Sequence, residues 1–203
     1  MNNLSNTARK LDKVLQIAHI VLGALAIACI VGTALIAVAY ILKLDPGMIG
    51  TDYECFDIGF LELQIAEAYA PDKWLVLLQA AITLAVSCRL FYDGRRGVGY
   101  IREILQPMME EKPFDAIVGT NLTKLAKLSI SIGILYNILM LSEQIMTVFV
   151  YDLPGLLISE KIVHIGGMFR VDLSFVICWA ILTLLSYIFR YGQQLQQLSD
   201  ETL

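Results

Sequence analysis

The sequence predicts an all-α, polytopic membrane protein built on four transmembrane helices. Three observations carry that reading. Apolar residues make up 57% of the chain and charged residues 17%, against about 45–50% and about 25% in ordinary soluble domains. The apolar residues fall into four runs, about 14–42, 74–91, 125–150 and 171–189. Each is close to or above the roughly 20 residues that cross about 30 Å of hydrocarbon. Finally, the lysines and arginines are divided unevenly among the segments between the runs.

The first run follows a polar start that carries Arg9, Lys10 and Lys13. It is far longer than the 7–15-residue core of a cleavable signal peptide, so it is expected to remain as an anchor. Ala24, Ala28 and Gly32 repeat every four residues, a spacing that lets a neighbouring helix approach closely. The first loop, 43–73, opens on Asp45-Pro46-Gly47, a turn signal. It carries Asp45, Asp52, Glu54, Asp57, Glu62, Glu67 and Asp72. Ile58, Leu61, Ile65, Ala68 and Tyr69 follow helical spacing, so an amphipathic helix is expected there. The acids lack calcium-loop spacing and read as a solvated face.

The second run starts at Trp74, suited to the membrane interface, and ends near Arg89, whose long stem can snorkel. The connection 92–124 follows. Asp93-Gly94-Arg95-Arg96-Gly97 is expected to loosen or kink the chain. Tyr100, Ile101, Ile104 and Leu105 extend the second helix to about Met109, with Pro107 able to bend it. Glu110-Glu111-Lys112-Pro113 reads as a turn, and Asp115 as the N-cap of the helix leading into the third run. The third and fourth runs are joined by an outer loop, 151–170. A polar tail, 190–203, follows the fourth run. Four spans and their connections occupy the 203 residues, leaving no room for a separate soluble domain.

Lysine and arginine counts orient the chain. Arg9, Lys10, Lys13, Arg89, Arg95, Arg96, Arg102, Lys112, Lys124, Lys127 and Arg190 fall on one side, against Lys43, Lys73, Lys161 and Arg170 on the other. The positive-inside rule then places both termini and the connection in the cytoplasm and the loops 43–73 and 151–170 outside.

Few groups could carry chemistry. No catalytic set is present: there is no HExxH, nucleophile triad or phosphate loop, and Gly94, Gly97 and Gly99 are wrongly spaced for a dinucleotide site. His19 and His164 fall near opposite faces, so no metal site is expected. Cys29, Cys55, Cys88 and Cys178 form no CxxC and read as small apolar residues. No cofactor is implied, and no basic–aromatic tail points to direct nucleic-acid binding. The intramembrane polar residues are Gln79, Asn137, Glu143, Gln144 and Ser174. A carboxylate in hydrocarbon is costly unless paired, protonated or wet, so Glu143 is expected to face inward. By depth it could meet Gln79 and Ser174, or instead a loop cation, Lys161 or Arg170.

Two stretches carry a likeness. One reads Lys112-Pro113-Phe114, then Asn121, Leu122, Leu125 and Ile132-Gly133. The other reads Ile188-Phe189-Arg190-Tyr191-Gly192, then Leu195-Gln196 and Asp200-Glu201-Thr202. Together, in order and at the ends of the third and fourth spans, they resemble the DUF2975 family of four-span bacterial membrane proteins. The resemblance implies a bacterial inner-membrane protein paired with a cytosolic helix-turn-helix regulator. It also marks Lys112, Pro113, Phe114, Asn121, Arg190, Gly192 and Gln196 as the residues a partner would meet. A structural alternative is that these residues cap helices and fasten the tail.

The leading expectation is therefore a non-enzymatic membrane sensor or regulator. Its partners would be membrane lipid, a cytosolic regulator and, in one arrangement, a second copy of itself. The alternative is a small ion-coupled transporter or channel-like oligomer that uses Glu143.

Overall fold

The computed structural model describes residues 2–44, 54–58, 61–65, 72–110, 114–150, 152, 155 and 170–201. Four helices dominate it: α1 (Asn2–Ile41), α2 (Lys73–Met109), α3 (Ala116–Ile145), which ends in a π-helical turn (Met146–Val150), and α4 (Ser174–Glu201). All four are long and apolar enough to cross a membrane. A two-stranded hairpin, β1 (Glu54–Ile58) and β2 (Leu61–Ile65), lies between α1 and α2.

Aspartates start three of the helices. Asp72 accepts from the Trp74 N–H at 2.9 Å, Asp115 from Ile117 at 2.8 Å and Asp172 from Ser174 at 2.8 Å. Each satisfies an amide that the helix itself leaves unbonded. The Asp115 cap is as the sequence predicts. At the other end of α1, Lys43 takes a left-handed φ of 50°. The Leu44 N–H then reaches the Ala39 carbonyl at 3.0 Å and the Lys43 N–H reaches Tyr40 at 3.2 Å. This pair of bonds closes the last turn, so α1 stops before Asp45-Pro46-Gly47 is reached.

Two expectations are corrected. The amphipathic helix expected from Ile58 onward is not formed. Ile58, Leu61 and Ile65 lie on the antiparallel strands, in a register pairing Phe56 with Leu63, Asp57 with Glu62 and Ile58 with Leu61. Residues 61–65, Leu61-Glu62-Leu63-Gln64-Ile65, alternate apolar and polar with period two, and that pattern prevails over the looser helical spacing. Ala68 and Tyr69 lie outside the described residues. The loosening expected at Asp93–Gly97 does not occur, since α2 is helical without a break from Lys73 to Met109 and contains Pro107. Here the glycines serve close packing: Gly97 is buried against Leu128, and Gly94 lies against Leu22.

The chain divides into two compact units. The first gathers residues 1–27, 88–137 and 172–203. Its successive helices are antiparallel neighbours. Arg102 meets Asp12 and Arg95 meets His19 between α2 and α1. Ser131 meets Asp93 between α3 and α2, and Gly119 meets Ser186 between α3 and α4. Ile104, Val118 and Leu122 form its apolar core, with Met108, Leu125, Leu182 and Phe189 packed against them. At Gly133 a Cβ would fall onto the Phe175 ring, so only glycine admits that ring to the α3 surface.

The second unit comprises residues 28–87 and 138–171. Within it α1 and α2 touch through Gly32 and Leu84, and through an edge-to-face pair of Tyr40 and Trp74 at 5.2 Å. An apolar groove of about 540 Å³ runs beside that pair, lined by Thr33, Ile36, Ala37 and Leu78 among others.

Burial is inverted relative to a soluble protein. Asp93, Asn121, Asn137 and Ser186 are buried, while Ile, Leu and Val are exposed along all four helices. Lipid rewards this arrangement, because apolar side chains lose nothing by facing it and polar groups must find partners inside.

Candidate functional site

The first unit holds a seam of polar residues between α2, α3 and α4. At one point Asp93 is fully buried. Its Oδ2 accepts from Arg89 Nε at 3.2 Å and from Ser131 Oγ at 2.9 Å, while Oδ1 has no partner. Further along, the Asn121 amide donates to Glu103 at 2.8 Å and accepts from Lys124 at 3.0 Å. Between α3 and α4, the Ser186 hydroxyl donates to the Gly119 carbonyl at 2.8 Å and lies 2.8 Å from the Thr123 hydroxyl. Arg190 donates to that same Thr123 hydroxyl at 3.2 Å. The seam ends where Phe114 packs against Phe189, ring centroids 6.0 Å apart, and over Gly192. A Cβ on Gly192 would lie 2.5 Å from the Phe114 ring.

Of the residues marked for a partner, Phe114, Arg190 and Gly192 are thus brought together with Thr123 and Gly119. Asn121 is buried and turned toward α2 instead, where it bonds Glu103. At 1% exposure it is not on the surface that a partner would meet, contrary to expectation. Gln196 is exposed farther along α4. Lys112 and Pro113 lie outside the described residues.

The intramembrane polar residues are accounted for by local bonds. In the first unit, Asn137 clamps the backbone of Asp172: its Nδ2 donates to the Asp172 carbonyl at 2.8 Å, and its Oδ1 accepts from the Asp172 N–H at 2.8 Å. Ser174 donates to the Asp172 carboxylate through both its N–H, at 2.8 Å, and its hydroxyl, at 2.9 Å. In the second unit, Gln144 does for Arg170 what Asn137 does for Asp172, with bonds of 3.0 and 3.4 Å. Gln79 donates to Ser142 at 3.1 Å. Asn137 and Gln144 thus satisfy backbone that leads into α4 without a helical partner of its own. Glu143 does not face inward as expected; it lies on the exposed face of α3. Helical rotation explains the difference, since Ser142, one residue earlier, takes the position facing α2. Lys161, its other expected contact, lies outside the described residues.

Two buried polar residues that sequence reasoning did not single out are Asp93 and Ser186. In the sequence Asp93 sits in Asp93-Gly94-Arg95-Arg96-Gly97, which reads as a loosening or kink of the chain. The available signal was helical spacing, with Arg89 four residues before it and Gly97 four residues after, on one face of a helix.

Among the described residues no group of three or more His, Cys, Asp or Glu is assembled for a metal. Cys29 is buried, Cys88 half-buried and Cys178 exposed. A polar cleft of about 290 Å³ lies beside the Arg102–Asp12 pair and Glu103.

Fold and site together define a four-helix protein suited to lipid, with Asp93, Asn121, Asn137 and Ser186 buried. Comparison with protein-family models, with curated proteins and with solved structures found no match.

Proposed function

We propose that the chain is a regulatory or sensor protein of a bacterial inner membrane, and that it engages a cytosolic protein partner through the exposed face of α4. The observation that carries this reading is the continuity of α4. The helix runs without interruption from its apolar part to Glu201. Its root is fastened by Arg190 to Thr123 and by Gly192 under Phe114. Beyond the root, Tyr191, Leu195 and Leu198 are 63%, 50% and 60% exposed. With Leu184 and Ile188 they repeat at spacings of four and three, the pattern of a helix that packs along another helix. The residues between them include Gln193, Gln194, Gln196 and Gln197, which suit water better than lipid.

The lysine and arginine distribution supports a cytoplasmic location for this tail. The DUF2975-like stretches support a helix-turn-helix protein as the partner. A photo-crosslinking residue at Leu195, with Ile181 as a control within the apolar part, tests the reading in native membranes. The expected outcome is a crosslink from position 195 to a DNA-binding protein encoded beside this chain, lost on Leu198→Glu. Crosslinks from 195 to lipid alone would overturn it.

A further inference from the structure

One exposed face of the first unit is built from cations and tyrosines. Arg89, Tyr92, Arg96 and Tyr100 are spaced three, four and four residues apart and share one face of α2. The Arg89 and Arg96 guanidinium groups stand 5.7 and 5.9 Å from the Tyr92 ring, bracketing it. Arg96 also donates to the Tyr100 hydroxyl at 3.1 Å. From α3, the Lys124 ammonium lies 5.2 Å from the Tyr100 ring, and Lys127 follows one turn later on the exposed surface. Two carboxylates are near. Asp93 is fully buried, and Glu103 accepts from the Asn121 amide. The exposed face is therefore strongly positive, with ring faces holding its guanidinium groups apart and in place.

Depth identifies what meets it. The apolar run of α2, residues 74–91, has 18 residues and spans about 27 Å at about 1.5 Å each, close to the thickness of the hydrocarbon layer. Arg89 and Tyr92 then sit at the edge of the hydrocarbon, Arg96 about 7 Å beyond it at the headgroup layer, and Lys124 just before the apolar run of α3, while Tyr100 follows one turn after Arg96 and bonds it through its hydroxyl. Guanidinium, ammonium and phenol donors at that level fit a phosphodiester.

We propose that this face is a binding site for the headgroup of an anionic glycerophospholipid, with Arg96 and Lys124 as its main contacts to phosphate and Tyr100 orienting both. The site depends on the membrane setting and not on the partner proposed for α4.

The test uses the full chain in nanodiscs of phosphatidylcholine doped with phosphatidylglycerol or with phosphatidylethanolamine, and retained lipid is read by native mass spectrometry. Each cation near a charged headgroup contributes about fivefold in affinity. Arg96→Gln with Lys124→Gln is therefore expected to weaken phosphatidylglycerol retention about 25-fold. Lys10→Gln with Lys13→Gln removes the same charge elsewhere and is expected to change it less than threefold. Tyr100→Phe keeps the ring, removes the bond to Arg96, and is expected to give an intermediate loss. Millimolar inorganic phosphate is expected not to compete. Equal losses in both double variants would mean bulk attraction to the bilayer and overturn the site. Competition by inorganic phosphate, or equal retention of phosphatidylethanolamine, would overturn it as well. Should the Arg96 variant fail to fold, Lys124→Gln with the exposed Lys127→Gln gives the same comparison.

Discussion

Breaking the Arg89–Asp93 pair should cost very different amounts depending on which partner is removed. The Asp93 side chain is fully buried and that of Arg89 is 53% exposed. Arg89→Leu leaves a buried carboxylate with a single donor, the Ser131 hydroxyl at 2.9 Å. Removing one partner of a buried pair costs about 3–5 kcal/mol. The lower end, about 3 kcal/mol, applies because Arg89 is half in solvent and its attraction is partly screened. Asp93→Asn removes the buried charge, keeps an oxygen for Ser131, and frees Arg89 to turn outward, so about 1 kcal/mol is expected. The double variant should lie within about 1 kcal/mol of Asp93→Asn alone, giving a coupling of about 2–3 kcal/mol. Reversible unfolding in mixed micelles, followed by far-UV circular dichroism, measures all three. If Arg89→Leu is no worse than Asp93→Asn, or if the two effects simply add, the account of Asp93 as a buried, cation-compensated group is wrong.

Three further outcomes follow from the geometry. Gly133→Ala is expected to lose about 1–3 kcal/mol, because its Cβ meets Phe175. Gly99→Ala, where nothing lies within 4 Å of the new carbon, is expected to gain about 0.5–1 kcal/mol, and the same unfolding assay checks both. Asn137→Ala is expected to cost about 2 kcal/mol by stripping the Asp172 backbone of both partners, and hydrogen exchange at the Asp172 amide should accelerate.

Much of the architecture was legible because lipid imposes a simple rule: long apolar runs become helices whose backbone bonds are internal. The Asp115 cap and the extension of the second helix to Met109 were legible for the same reason, since local chemistry decides both. The hairpin was not. Short segments such as 54–65 satisfy two periods at once, and the period-two reading competes with the helical one over too few residues to be decided. Asp93 was hidden because Asp93-Gly94-Arg95-Arg96-Gly97 reads as a loosening or kink, whereas packing holds this stretch helical. The interior amides were recognised as intramembrane polar groups, but which backbone each one clamps depends on helix rotation. That rotation separates Ser142, which meets Gln79, from Glu143 beside it, and apolar periodicity in α3 is too even to define it.

The most direct measurement concerns how the chain is threaded through lipid. In a variant whose native cysteines are replaced by serine, single cysteines at Lys43, Glu110, Asp152 and Gln196 would be probed in intact cells with a membrane-impermeant maleimide. Four crossings with both ends inside predict labelling at 43 and 152 before lysis and at 110 and 196 only after it. Equal labelling of 43 and 110 in intact cells would contradict it.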